Sequence, residues 1–183
     1  APIGNGRWEL QGLLRGRGGT EAEAAAGHAA GAGVVLLDSS LVALDAGEVP
    51  ALPTTRIAAI GTGDTEPVTA VLANAGLSRR PPNPVHPHVR VLPDQSWHID
   101  WTRRARGQWG WDDGVDVPLV EERGAYLVGY GSQAMPHAVW PVDEPRLSLT
   151  ETDRTDLLAA WGAGDLWVRQ VGTFGQSPPL LIA

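Results

Sequence analysis

Apolar and polar residues alternate with a period of two along residues 82–183. This spacing places every second side chain on one face of an extended chain, so it predicts β-strands. The apolar positions of the predicted strands are Val89 and Val91; Trp97, Ile99 and Trp101; Val115, Val117 and Leu119; Tyr126, Val128 and Tyr130; Leu147 and Leu149; residues 166–171; and residues 180–182. About seven short strands in such a length predict a β-sandwich. The helical-looking residues 156–161 are expected to form only a turn in a loop.

The pattern along residues 1–80 is less regular. The continuous apolar run 34–37 predicts a strand buried on both faces, and residues 38–40 can turn the chain into a partner strand at 41–44. Further strands are expected around Trp8 and at residues 57–60 and 68–72.

One short helix is expected in this first part of the chain. Thr20 and Glu23 have the spacing of a capping box, and they precede a run of alanines that favours helix. Gly27 and Gly31 limit the helix to about two turns.

Prolines at positions 81, 82 and 84 divide the chain. Such a cluster forms a stiff, extended connector. We therefore predict a small β-rich domain with one short helix over residues 1–80 and a β-sandwich over residues 82–183. The fold class is all-β, which agrees with the high content of glycine (23) and proline (15).

Composition excludes several classes of function. The net charge is −7, and the only dense basic run is Arg103, Arg104 and Arg106, so we expect neither a nucleic-acid partner nor an anionic membrane surface. The absence of cysteine excludes disulfides, zinc–thiolate sites and thiol nucleophiles. No apolar stretch approaches the length of a transmembrane helix. The N-terminal residues run straight into a strand-like pattern without an initiator Met, which suggests a piece of a longer protein.

The residues that could carry chemistry do not form a complete site in the sequence. His86 and His88 lack a third metal ligand nearby, and residues 112–116 lack the distal glutamate of a calcium loop. Residues 38–40 with His28 lack a nucleophile elbow, and the glycine-rich residues 16–20 lack the lysine of a phosphate loop. The adjacent Glu121 and Glu122 would point to opposite faces of a strand. We therefore predict no enzymatic activity, no metal and no cofactor.

The eight tryptophans are the most informative excess in the composition. Trp97 and Trp101 are expected in the core, whereas other tryptophans lie near glycine, proline or acidic residues in predicted loops. Exposed Trp and Arg anchor protein interfaces, and Trp also stacks on sugars. The candidate interface residues are Trp109, Trp111, Trp140, Trp161 and Arg104.

Residues 82–183 resemble a fibronectin type III domain. The resemblance rests on the proline-rich entry, on Trp97 and Trp101, and on the exit over residues 168–178, which ends in a Gly-x-Ser-Pro turn. The tyrosine usual in the penultimate strand of that family has no counterpart, because Gly164 or Leu166 stands there.

A second resemblance covers nearly the whole chain. Residues 8–20 have the pattern W-x-L-x-x-L-L-R-G-x-x-G-T, which is similar to a stretch in the baseplate hub, or tail-tip, protein of gene transfer agents and related prophages. The match continues in order through residues 33–38, 77–86, 101–104 and 117–122, and the Leu-Leu-Arg-Gly block is its most specific part.

This resemblance implies a structural role in a phage-like tail. In that family the region is the fibre-binding C-terminal part of a trimeric hub. The resemblance implies that the chain docks a tail fibre or neighbouring baseplate proteins at the tail tip of a particle made in the bacterial cytoplasm, and it implies no catalytic residue. The alternative that the tryptophans leave open is a carbohydrate-binding module for the host surface.

Overall fold

The computed structural model describes residues 2–16, 19–42, 56–71, 79–107 and 118–183. The chain forms two compact units, one of Ala1–Gly27 with Arg79–Ala183 and the other of His28–Ser78. This grouping differs from the predicted division into two consecutive segments, 1–80 and 82–183. Residues 1–27 belong with the sandwich because Glu23 pairs with Arg80 and Glu21 pairs with Arg104.

The elements in chain order are β1 (Pro2–Gly4), β2 (Arg7–Trp8), α1 (Glu21–Ala26), β3 (Arg56–Ala59), β4 (Val68–Val71), β5 (Val85–Val91), β6 (Trp97–Thr102), β7 (Tyr126–Gly131), β8 (Pro136–Val142), β9 (Arg146–Leu149), α2 (Glu151–Trp161), β10 (Leu166–Gly172), β11 (Gly175–Gln176) and β12 (Leu180–Leu181). Every strand pair in the described residues is antiparallel. The predicted all-β class is confirmed.

Strands β5 to β12 form the predicted β-sandwich. One sheet has the order β5-β6-β9, and the other has the order β8-β7-β10, with β11 and β12 both paired to β10. The chain crosses between the sheets after β6, after β8 and through α2. The buried core lies between the sheets and consists of Ile99, Trp101, Leu149, Tyr126, Val128, Leu166 and Val168.

The alternating pattern locates most of these strands correctly, and Leu119 is an exception. Leu119 lies in irregular, exposed chain, so the strand predicted to end there is wrong at that residue. Val115 and Val117 fall outside the described residues. Trp101 is buried in the core as predicted, and Trp97 is partly buried against it.

Strand β8 was missed by the sequence pattern because it contains two prolines. Proline lacks an N–H, so it is tolerated in a sheet chiefly at an edge. β8 lies at the edge of its sheet, where β7 is its only neighbour among the described strands. Pro136 and Pro141 are therefore compatible with β8 as an edge strand, whereas a central strand would exclude them.

A close approach between two neighbouring strands buries Trp167. Gly129 of β7 lies opposite Trp167 of β10, and a Cβ at Gly129 would be 2.1 Å from Cζ2 of the indole. Glycine therefore leaves the space that the ring occupies. Trp167 is 1% exposed, and its indole N–H donates to the carbonyl oxygen of Gly131 at 3.0 Å.

The prediction of a mere turn at residues 156–161 is wrong, because these residues end an 11-residue helix, α2. The Thr150 hydroxyl accepts from the Asp153 N–H at 3.1 Å, and the Asp153 carboxylate accepts from the Thr150 N–H at 2.8 Å. This reciprocal pair is a capping box with Asp in the place of the usual Glu. The helix thus begins at Glu151, five residues before the segment 156–161 that suggested it.

The helix expected after Thr20 is present as α1, but its predicted capping box is wrong. The Thr20 side chain makes no capping hydrogen bond to the helix. Glu23 accepts a hydrogen bond from Arg80 instead, at 3.1 Å. The Glu23 carboxylate, which the local pattern assigns to the helix cap, thus forms a long-range ion pair with Arg80.

The unit of residues 28–78 contains the hairpin of β3 and β4, as the predicted strands at 57–60 and 68–72 require. The predicted buried strand at residues 34–37 is wrong, since all four side chains are exposed and the segment pairs with no strand in the described residues. The turn after it is real: the Asp38 carboxylate accepts from the Ser40 N–H at 2.9 Å. Leu41 and Val42 are not in a strand, and residues 43–44 fall outside the described residues.

Candidate interface surfaces

Three of the five candidate interface residues lie in the described part of the sandwich unit. Trp140 belongs to β8, Trp161 ends α2, and Arg104 follows β6. Trp109 and Trp111 fall outside the described residues. The structure brings Trp140 and Trp161 together and places Arg104 in a different contact.

Arg104 holds helix α1 to the sandwich. Its guanidinium pairs with the Glu21 carboxylate, and less than a third of its side chain is exposed. Burial raises the pKa of Glu21 and is the largest single effect, but the hydrogen bond from Arg104, a backbone hydrogen bond and the Arg104 charge together outweigh it and leave the pKa below its ordinary value. Arg104 therefore serves an internal ion pair, and its charge is not presented freely to a partner.

A second charged pair is more deeply buried. Glu121 accepts from Arg106 Nε at 2.7 Å and from the Thr173 N–H at 2.9 Å. Burial raises the pKa of Glu121, yet the two hydrogen bonds together lower it below its ordinary value. The hydrogen bond from Arg106 has the larger effect of the two. Glu122 beside it is exposed. The pair of Glu121 and Arg106 therefore ties the loop before β7 to the turn after β10.

Trp140 and Trp161 line one groove between β8 and α2. Trp140 is partly buried and packs against the core, whereas Trp161 is 54% exposed. The ring of Trp161 stacks on His137, with 4.6 Å between centroids and 8° between planes. The groove has a volume of about 310 Å³, and its other lining residues are Asp153, Asp156, Leu157 and Ala160.

A second surface, which the sequence pattern did not single out as a site, consists of exposed apolar side chains near the N-terminus. Its members, which we call the N-terminal apolar surface, are Ile3, Trp8, Leu10, Leu13 and Leu14. β1 and β2 form a small hairpin at its start. Five large apolar side chains exposed within residues 3–14 make this segment a candidate contact site.

The remaining candidates from the sequence have structural partners or lack a site around them. His88 lies 3.3 Å from the Asp100 carboxylate across β5 and β6, and Arg90 contacts the same carboxylate. Within the described ranges, no group of three or more His, Cys, Asp or Glu side chains could hold a metal ion. The Ser40 hydroxyl is engaged by Asp38, and residues 112–116 fall outside the described residues. Neither α1 nor α2 is long and apolar enough to cross a membrane.

A family model described as "Rcc01698-like, C-terminal" matches residues 1–35 of the chain. No curated protein matches the chain. Among solved structures, the chain is similar to the rat CD45 extracellular region, domains d3-d4, at 9% identity and a TM-score of 0.37, over 84% of this chain and 75% of that one. The fold described above rests on the strand pairing and not on that distant likeness.

Proposed function

We propose that this chain is a non-enzymatic docking module of a phage-like tail tip, which holds a tail fibre or a neighbouring baseplate protein. The parent protein would be a homotrimeric hub, as the resemblance of residues 8–20 to gene transfer agent hubs implies. The sandwich would supply a rigid support, and the N-terminal apolar surface would supply the contact.

The observation that carries the proposal is the coincidence of two features in one segment. The family match covers residues 1–35, and all five residues of the N-terminal apolar surface lie within it. The Leu-Leu-Arg-Gly block contributes Leu13 and Leu14, whose side chains are both exposed. Such exposure costs free energy in water and is relieved when a partner covers the side chains.

The helix α1 gives this surface a fixed support. Glu21 and Glu23 pair with Arg104 and Arg80, which flank the first strand pair of the sandwich. Gly16, which precedes α1, has a φ of +71°, and a Cβ there would approach the backbone of Glu21 to 3.1 Å. Two charge pairs thus tie α1 to the sandwich, and Gly16, at the end of the apolar segment, lies close to the first residue of α1.

The test is binding to proteins encoded beside this chain. The chain is titrated calorimetrically with the fibre protein and with the adjacent baseplate proteins of the same gene cluster. We expect binding by at least one of them and a loss of about tenfold or more for Leu13→Ser combined with Leu14→Ser. Met135→Ser is the matched control, because Met135 is 78% exposed on the sandwich and lies outside the surface.

Two results would overturn the proposal. One is the absence of binding to every such protein when all partners are folded. The other is equal weakening by the Leu13/Leu14 pair and by Met135→Ser, which would place the contact elsewhere or make it nonspecific.

A further inference from the structure

One face of helix α2 is turned to β8 and carries both acidic and apolar side chains. Asp153, Asp156, Leu157, Ala160 and Trp161 all line the groove, and their spacing of three, four, seven and eight residues places them on one face of a helix. Trp140 of β8 forms the opposite wall. The groove thus combines two indole rings with two carboxylates.

The indole of Trp161 is exposed but held in one orientation. Parallel stacking on His137 fixes the plane of the ring, although more than half of the side chain meets solvent. A fixed aromatic ring loses little conformational entropy when a flat apolar face stacks on it. Trp140 packs against the core and provides a second immobile wall.

The two carboxylates differ in their availability. Asp153 is committed to the helix cap, where Thr150 donates to it from both its hydroxyl and its N–H. Both hydrogen bonds lower the pKa of Asp153, and the one from the Thr150 hydroxyl has the larger effect. Asp156 lies one turn further along the same face and makes no hydrogen bond or ion pair with any described residue.

These features select the chemistry of the ligand. A ring with an apolar face would stack on Trp161, and adjacent hydroxyls would donate to the free Asp156 carboxylate. No Arg, Lys or His lines the groove in the described residues, and its two carboxylates disfavour an anion. A volume of about 310 Å³ is at the lower end for ligand sites, so the groove fits one or two sugar rings.

We propose that the groove between α2 and β8 binds an uncharged saccharide, with Trp161 as the stacking platform and Asp156 as the hydroxyl acceptor. This function is additional to protein docking, because none of its residues belongs to the N-terminal apolar surface. Each proposal can therefore fail without the other.

The experiment uses the full chain and follows the tryptophan indole N–H resonances by ¹⁵N NMR. The probes are the neutral disaccharides cellobiose, maltose and N,N′-diacetylchitobiose, with digalacturonate as the anionic arm. We expect a saturable shift of the Trp161 indole with at least one neutral probe at millimolar concentration and none with digalacturonate. A shift with no probe, or with digalacturonate alone, overturns the proposal.

Variants separate the groove from nonspecific sugar binding. Asp156→Asn should weaken binding about tenfold, the loss of one charge-assisted hydrogen bond. Trp161→Ala should abolish it, as followed at the indole resonance of Trp140, which lines the same groove. The controls are Asp143→Asn, an exposed carboxylate between β8 and β9, and Phe174→Ala, an exposed aromatic after β10. Because Asp156 makes no contact that supports the helix cap, its variant should melt like the unaltered chain. Equal affinity of both groove variants and both controls would contradict the assignment.

Discussion

Residues 34–37 and β10 are both rich in apolar side chains, but those of β10 are largely buried and those of residues 34–37 are exposed. Leu166 and Val168 of β10 are buried, because β7 and β12 pair with the strand and both side chains belong to the core between the sheets. Trp167 is buried over Gly129 of β7. The run 34–37 is exposed and pairs with no strand among the described residues. Apolar composition alone therefore does not make a core strand; it needs neighbours whose own alternating patterns bring them to the same place.

The largest effect that separates these regions is expected from Trp101. Trp101→Ala should lower the free energy of unfolding by about 3–5 kcal/mol, since it leaves a cavity in a close-packed core. Trp101 is 4% exposed and meets Tyr126 edge-on at 5.4 Å. Leu36→Ala, at 79% exposure, should change it by less than about 0.5 kcal/mol. Urea unfolding measures both, and comparable losses would break the comparison.

A glycine pair gives the next test. Gly129→Ala should destabilise the chain by about 2–3 kcal/mol, because the new Cβ overlaps the buried indole of Trp167. Gly33→Ala, in the unit of residues 28–78, has nothing within 4 Å of the new Cβ and should be nearly neutral. Thermal melting of the two variants checks this prediction. An equal shift in Tm would show that the Trp167 indole moves away from the new Cβ at little cost in stability.

The buried ion pair makes stability depend on pH. The folded pKa of Glu121 lies below its ordinary value of 4.5, so its contribution is fully present above about pH 4.5 and is lost as the pH falls through the lower folded pKa. Glu121→Gln should cost about 1–2 kcal/mol at pH 7, and the difference from the unaltered chain should shrink in acid. Exposed Glu122→Gln is the matched control in unfolding curves at several pH values. A difference that persists unchanged at pH 3 would refute the assigned protonation.

The two helix starts provide the smallest contrast. Thr150→Ala should cost about 1 kcal/mol, because it removes a real N-cap hydrogen bond to Asp153. Thr20→Ala should cost less, since Thr20 makes no capping hydrogen bond to α1. Urea unfolding of the two single variants compares their losses of unfolding free energy. A larger loss for Thr20→Ala than for Thr150→Ala would support the capping box that the sequence predicts at Thr20.

The sequence predicted the sandwich well because its strands follow the period-two rule. Trp97, Ile99 and Trp101 point to one face of β6, and Tyr126 and Val128 point to one face of β7, as their spacing requires. Strand β8 escaped because Pro136 and Pro141 argue against a strand unless its edge position is known. The early start of α2 could have been found from Thr150 and Asp153, whose spacing is that of a capping box.

The candidate sites were only partly accessible from sequence. The sequence pattern proposes Trp140 and Trp161 as separate interface candidates, but their common groove arises because α2 lies beside a strand that the pattern does not recognise. Arg104 was chosen as an exposed cation, yet the partner that engages it, Glu21, lies 83 residues away in the chain. Contacts of that separation depend on the tertiary fold, and no local pattern records them.

The two prolines of β8 also affect whether another chain can pair with the edge of this sheet. An outer strand with a full row of N–H donors is a template on which another chain can add a strand and begin a fibril. Pro136 and Pro141 remove two donors from a seven-residue edge. The loss of these donors therefore disfavours the addition of a foreign strand along this edge and, with it, aggregation through the backbone.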